Sequence, residues 1–205
     1  WATAYPDLND ALLQAVYVDE IWIKEGTYYP TGGGNRMLSF NLPNGVKLYG
    51  GFAGTENAKQ QRDWQSRPTI LSGDIGVPGD AADNSYCILY AAQCDSSTTV
   101  DGLIFEHGNA NNPDDVGVFS HERTQSGSAI YLMGQGNGKF AFLHLNNCTF
   151  RLNRADYYGA VYANGRDNGR SAVWTRNCRF SQNYAGYAGG GLVVENYYSP
   201  QYPLH

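Results

Sequence analysis

The chain has 205 residues, a formal net charge of −5, 25 glycines, 16 tyrosines and only 16 % charged residues. Lysine is confined to Lys24, Lys47, Lys59 and Lys139, so there is no basic stripe of the kind that phosphate backbones require, and nucleic acid is excluded as the main partner. No stretch is long and apolar enough to span a bilayer as a helix, and glycine- and asparagine-punctuated, aromatic sequence points to an all-β architecture.

In chain order, "YPDLNDALLQAV" predicts the one helix. Asp7 caps its start, and Leu8, Ala11, Leu12, Ala15 and Val16 form an apolar stripe that must pack against something. In "DEIWIKEGTYYPT", Ile21 and Ile23 alternate with Trp22 and Lys24 as in a strand, and "EGTYYP" turns. "VKLYGGF" predicts a second strand, Thr69 to Leu71 a third, "SYCILYAA" a fourth and "TTVDGLIF" a fifth.

A repeat then takes over. "NCTFRLN" starts at Asn147 and "NCRFSQN" at Asn177, 30 residues later. At that offset Phe150 meets Phe180, Asn153 meets Asn183 and Ala155 meets Ala185; "GAVYA" from Gly159 meets "GGLVV" from Gly190 with a slip of one. A fainter copy lies upstream in "VDGLIFEHGNA" and "GSAIYL", its halves separated by an insertion at Gly108 to Ser126. A period of this size signals stacked units, none of which buries its own apolar face alone.

These motifs resemble right-handed parallel β-helix proteins of the pectin-lyase-like class. In that class a short helix plugs the first coil, as "YPDLNDALLQAVYVDEIWIKEGTYYPT" is placed to do, although Asp19-Glu20-Ile21 stands where that pattern has Gly-Asp. "VKLYGGFAGTE", "RPTILSGDIGVPGDAADNSY" and "NCTF" with its glycine-rich run are similar to large secreted bacterial surface proteins of this type. The resemblance implies an all-β right-handed parallel β-helix solenoid with an N-terminal amphipathic capping helix. It implies one incomplete domain over 1–205: a cap helix region at 1–18, first coils at 19–105, an insertion loop at 106–126 and regular coils at 127–205. Both ends read as cut, with no signal peptide before "WATAYPDL" and no cap after "YYSPQYPLH". In such a fold, equivalent residues stack about 4.8 Å apart, so Asn147, Cys148, Phe150, Asn177, Cys178 and Phe180 form a structural ladder, with the cysteines as stacked free thiols and the asparagines at tight bends.

Several constellations could carry chemistry. Asp74, Asp80 and Asp83, with the amide oxygen of Asn84, offer hard oxygen ligands on a glycine-rich loop, which makes calcium the candidate cofactor; exposed turn is the alternative. Asp114 and Asp115 could bind metal or act as acid and base, or be solvated turn. Arg151, Arg154, Arg176 and Arg179 are the basic candidates for a lyase, without a lyase motif around them. His107, His121, His144 and His205 lack the glycosidase context, and Cys87 and Cys94 bridge only if the strand doubles back. Tyr157, Tyr158, Tyr184, Tyr187, Tyr197, Tyr198 and Tyr202 crowd the last third; tyrosine suits stacking on sugars or on protein, or inward ladders. Tyr157, Tyr158, Tyr187 and Arg154 are the candidate ligand-binding residues.

The expected function is a non-enzymatic, secreted or cell-surface module, a rigid scaffold for adhesion or glycan binding. Its expected partner is a polysaccharide or surface protein, with self-association along the solenoid as a further contact and no membrane insertion. The alternatives are a polysaccharide lyase or glycoside hydrolase acting on acidic polysaccharide, and a structural subunit of an extracellular assembly.

Overall fold

The computed structural model describes residues 1–115 and 122–197. Among these there is a single α-helix, α1 (Leu8–Gln14). Asp7, in extended conformation, caps it by accepting from Asn9 N at 2.7 Å. Leu8 and Leu12 are buried, and α1 packs on the first and third strands. The apolar stripe is shorter than expected. Ala15 already has extended backbone, and Val16 is 66 % exposed. A turn ends the helix there: Val16 N donates to Asp19 Oδ2 at 2.8 Å and Asp19 N returns to Val16 O at 3.0 Å.

The strands come in five passes. The first holds β1 (Glu20–Lys24), β2 (Gly26–Tyr28) and β3 (Phe40–Leu42). The second holds β4 (Lys47–Phe52), β5 (Thr69–Ser72) and β6 (Leu89–Ala92). The third holds β7 (Thr99–Asp101), β8 (Ile104–Glu106), β9 (Asn109–Ala110) and β10 (Ile130–Met133). The fourth holds β11 (Phe140–Asn146), β12 (Thr149–Arg151), β13 (Arg154–Ala155) and β14 (Val161–Gly165). The fifth holds β15 (Arg170–Arg176), β16 (Arg179–Ser181), β17 (Tyr184–Ala185) and β18 (Leu192–Asn196).

Each strand pairs in parallel with its equivalent in the next pass. The sheets are ordered β1-β4-β7-β11-β15, β2-β5-β8-β12-β16 and β3-β6-β10-β14-β18, with a short fourth sheet β9-β13-β17. Mostly β, with every strand pairing among the described residues parallel, this arrangement is compatible with the β-helix that the sequence resembles.

Register explains the repeat. Phe150 lies opposite Phe180, an offset of 30 residues. Beyond Tyr158 and Ala188 the offset becomes 31, with Val161 opposite Leu192, so the slip seen in the sequence is one extra residue in the fifth pass. Upstream, Phe105 lies opposite Phe150 at an offset of 45, while Ile130 lies opposite Val161 at 31. The third pass therefore carries 14 extra residues. Asp156 N bonds Ala110 O and Tyr157 N bonds Gln125 O, which brackets the excursion to residues 111–124, tighter than the expected Gly108 to Ser126; residues 116–121 lie outside the described part.

Inward columns make the core. Tyr28, Leu71, Phe105, Phe150 and Phe180 line up through the second sheet. Phe105, Phe150 and Phe180 stack at centroid distances of 5.1 and 4.8 Å with planes 10° and 12° apart. Ring stacking at the strand spacing adds to the burial energy at no cost in register. The predicted fifth strand, "TTVDGLIF", is in fact two strands, β7 and β8, because Gly102 has φ +75° and bends the chain between them. Asn147 and Asn177 occupy the same bend at φ +53° and +54°. A second bend stacks His107, Leu152 and Gln182 at φ +63°, +57° and +56°, which gives His107 a backbone role. β2 forms where a turn was expected, and β3 had no counterpart in the sequence pattern.

Candidate functional site

The third sheet turns a column of tyrosines away from the core. Tyr90, Tyr131 and Tyr162 occupy equivalent positions in successive passes, with centroids 6.1 and 5.5 Å apart. Tyr131 and Tyr162 are nonetheless buried. Tyr158 stacks on Tyr162 at 4.8 Å, Cys87 fills the space beside them, and Arg123 of the excursion lies over Tyr90 at 5.2 Å. Buried phenols need partners. Asn164 Nδ2 donates to the Tyr131 hydroxyl at 2.9 Å, and the Tyr162 hydroxyl donates to Glu195 Oε2 at 2.5 Å. Burial raises the Tyr131 and Tyr162 pKa values, and for Tyr162 the Glu195 carboxylate pushes the same way. Burial, followed by Glu195, pushes Tyr158 up to about 12.

This buried tyrosine cluster supports an exposed rim. Tyr187, 62 % exposed, lies edge-on to Tyr158 at 5.7 Å and beside Tyr157 at 6.2 Å. One strand column away, Arg154 lies over the ring of exposed Tyr184 at 4.9 Å, with Asp156 4.0 Å from its guanidinium. Of the predicted binding residues, Tyr157, Tyr158 and Tyr187 are brought together, while Arg154 pairs separately with Tyr184. Tyr158 is buried within the tyrosine cluster and braces the others instead of meeting solvent. Tyr198 and Tyr202 lie outside the described residues, as do His121 and His205.

The acidic loop does not gather its three carboxylates. Asp74 Oδ1 accepts from Gly79 N at 2.8 Å, Asp80 Oδ1 from Ala82 N at 2.9 Å and Asp83 Oδ2 from Val77 N at 2.7 Å. A tight loop leaves main-chain N–H groups unpaired, and its own aspartates satisfy them. No group of three His, Cys, Asp or Glu side chains converges among the described residues. Asp115 anchors the excursion by accepting from Asn112 Nδ2 at 3.0 Å and Thr124 Oγ1 at 2.6 Å, while Asp114 is exposed. Arg151 is paired with Glu106 at 2.6 Å; Arg176 and Arg179 are exposed and make no ion pair among the described residues.

The four cysteines are free thiols. Cys148 and Cys178 stand one pass apart, their thiols directed at the carbonyls of Asn146 (3.1 Å) and Leu145 (3.3 Å) respectively. Burial pushes the Cys148 thiol up, and the neighbouring Cys148 thiol draws Cys178 down to about 7.

One exposed aromatic group escaped sequence reasoning. On the outer face of the first sheet, His144 stacks on Trp174 at 4.6 Å with planes 12° apart, and Phe140 and Phe142 continue the row along β11. Trp174 is 47 % exposed and Phe140 41 %. The signal was present: "FAFLHL" places aromatic rings at alternate positions, opposite the inward Ala141, Leu143 and Leu145. A cavity of about 810 Å³ opens elsewhere, between α1 and β1, lined by Trp1, Tyr5, Leu8 and Trp22 among others. Two of its carboxylates are committed, Glu20 to Lys59 at 2.7 Å and Glu56 to the N–H groups of residues 53–55.

No family model, no curated protein and no solved structure matches the chain.

Proposed function

We propose that the chain is a right-handed parallel β-helix of the pectin-lyase-like type, serving as a secreted or cell-surface binding module rather than an enzyme. The fixed order in which the passes visit the sheets supports the fold reading. The observation that carries the functional one is the Tyr157–Tyr187 pair, which rests on a buried tyrosine cluster, together with the exposed Arg154–Tyr184 pair on the same two passes. Rigid rings with a polar edge stack on sugar faces or on protein at low entropic cost, and an arginine beside them favours an anionic group. The ligand class is therefore a glycan, with an acidic one preferred.

The test is a binding panel of polyuronates, sulfated glycans and neutral β-glucans, with product formation followed in parallel by ultraviolet absorbance and reducing ends. The reading expects retention of a polysaccharide that Tyr187→Ala weakens, without product. Turnover abolished by replacing Arg151, Arg154, Arg176 or Arg179 would instead establish the lyase alternative.

A further inference from the structure

Four buried side-chain oxygens without a hydrogen-bond partner lie in one small region: Asp83 Oδ1, Asn84 Oδ1, Ser85 Oγ and Asn109 Oδ1. Asn109 brackets that region. Its main-chain N–H donates to Ser85 O at 2.8 Å and its Nδ2 to Ala81 O at 2.7 Å, so its side chain runs along residues 81–85. Asn84 and Asn109 are only 4 % and 5 % exposed. The loop is already closed on the other side of Asp83: Oδ2 holds Val77 N, and Gly76 packs so tightly that a Cβ there would meet this carboxylate at 2.4 Å.

Buried acceptors without a donor are uncommon in native proteins, and each calls for a partner. Here the set is a carboxylate, two amide carbonyls and a hydroxyl. That is a hard, all-oxygen set of the kind that suits calcium. The neighbouring cation, Arg36, interacts electrostatically with Asp83 but gives none of these four oxygens a hydrogen bond. Arg36 donates from Nε to the main-chain oxygen of Asn84 at 2.7 Å and from Nη2 to that of Asn109 at 3.0 Å and to Asn111 Oδ1, and its guanidinium lies 4.0 Å from the Tyr86 ring centroid. It thus ties the main chains of the two asparagines together while their side-chain oxygens are left without a donor.

We propose that Asp83, Asn84 and Asn109, assisted by Ser85, hold a divalent cation of calcium's class that fastens the 73–85 loop to β9. Asp74 and Asp80 take no part, being used by the loop itself. A single carboxylate makes a weak site, with a Kd on the order of 10⁻⁴–10⁻³ M, the range of extracellular calcium modules.

Thermal unfolding of the full chain, first with chelator and then with calcium or magnesium, tests this. A cation that binds only the folded chain raises Tm by mass action, by roughly 5–10 °C at about 100 times its Kd. Calcium should give that rise and magnesium less. Asp83→Asn, which keeps an acceptor for Val77 N, should lose the rise; Asp80→Asn should keep it. Asn109→Asp adds a carboxylate and should tighten calcium binding. Equal Tm with calcium and with chelator would overturn the site, leaving these oxygens to bound water. So would a calcium shift that survives Asp83→Asn, or one that Asn109→Asp does not move to lower calcium.

Discussion

Asn177 Nδ2 donates to Asn147 Oδ1 at 2.9 Å, one pass above the bond from Asn147 Nδ2 to Asp101 Oδ1 at 2.8 Å. Asp101 in turn is paired with Arg62 at 2.7 Å. The amides thus form a ladder across three passes, at the bend where both asparagines have positive φ. Asn147→Ala removes two hydrogen bonds and places a residue ill-suited to that backbone region. A loss of about 2–3 kcal/mol is expected. Asn147→Gly relieves the backbone part and should cost about 1 kcal/mol less. Urea midpoints of the two variants check the order.

Phe150 is fully buried between Phe105 and Phe180. Phe150→Ala is expected to cost about 3–5 kcal/mol, the range for deleting a core aromatic. Phe180, only partly buried, should cost less when truncated. Equal losses in denaturant unfolding would contradict the burial gradient along the column.

Leu12 is 3 % exposed under α1, whereas Val16 is 66 % exposed beyond it. Leu12→Asp buries an unpaired charge and is expected to lower stability by several kcal/mol, roughly 3–5. Val16→Asp should stay within about 0.5 kcal/mol of the wild type. A tolerated Leu12→Asp in thermal melting would remove the helix from its capping role.

Alkaline pH should weaken the fold. Burial raises the Cys87 thiol from 9.0 to about 12 and that of Cys94 to about 11, and Tyr158 rises from 10.0 to about 12. The unfolded chain releases these protons at lower pH than the folded one. Their contribution is therefore fully present below pH 9 and is lost as pH rises toward 12. Unfolding midpoints in urea should fall across that window, and Tyr158→Phe should flatten the fall above pH 10.

Much of this architecture was legible because stacking forces equivalent residues into register. The 30-residue spacing of Asn147, Cys148 and Phe150 with Asn177, Cys178 and Phe180 follows from that alone. What was hidden depends on the third dimension. Nothing local in "TTVDGLIF" distinguishes a bend at Gly102 from a continuous strand. Asp74 and Asp80 look like metal ligands until the main-chain N–H groups that claim them are seen. Tyr158 and Tyr187 look alike in the sequence, yet Tyr158 is buried and Tyr187 is exposed because of what lies on the neighbouring strands.

Calorimetric titration of the polysaccharide that the binding panel selects, into the wild type, Tyr187→Ala and Arg154→Ala, tests the central proposal most directly. Both side chains are exposed, so neither change should move the thermal midpoint by more than about 2 °C. The predicted result is at least about tenfold weaker binding for Tyr187→Ala, which corresponds to about 1.4 kcal/mol, with a smaller loss for Arg154→Ala that shrinks as salt is added. Affinity unchanged in both variants would contradict a binding role for the Tyr157–Tyr187 and Arg154–Tyr184 face.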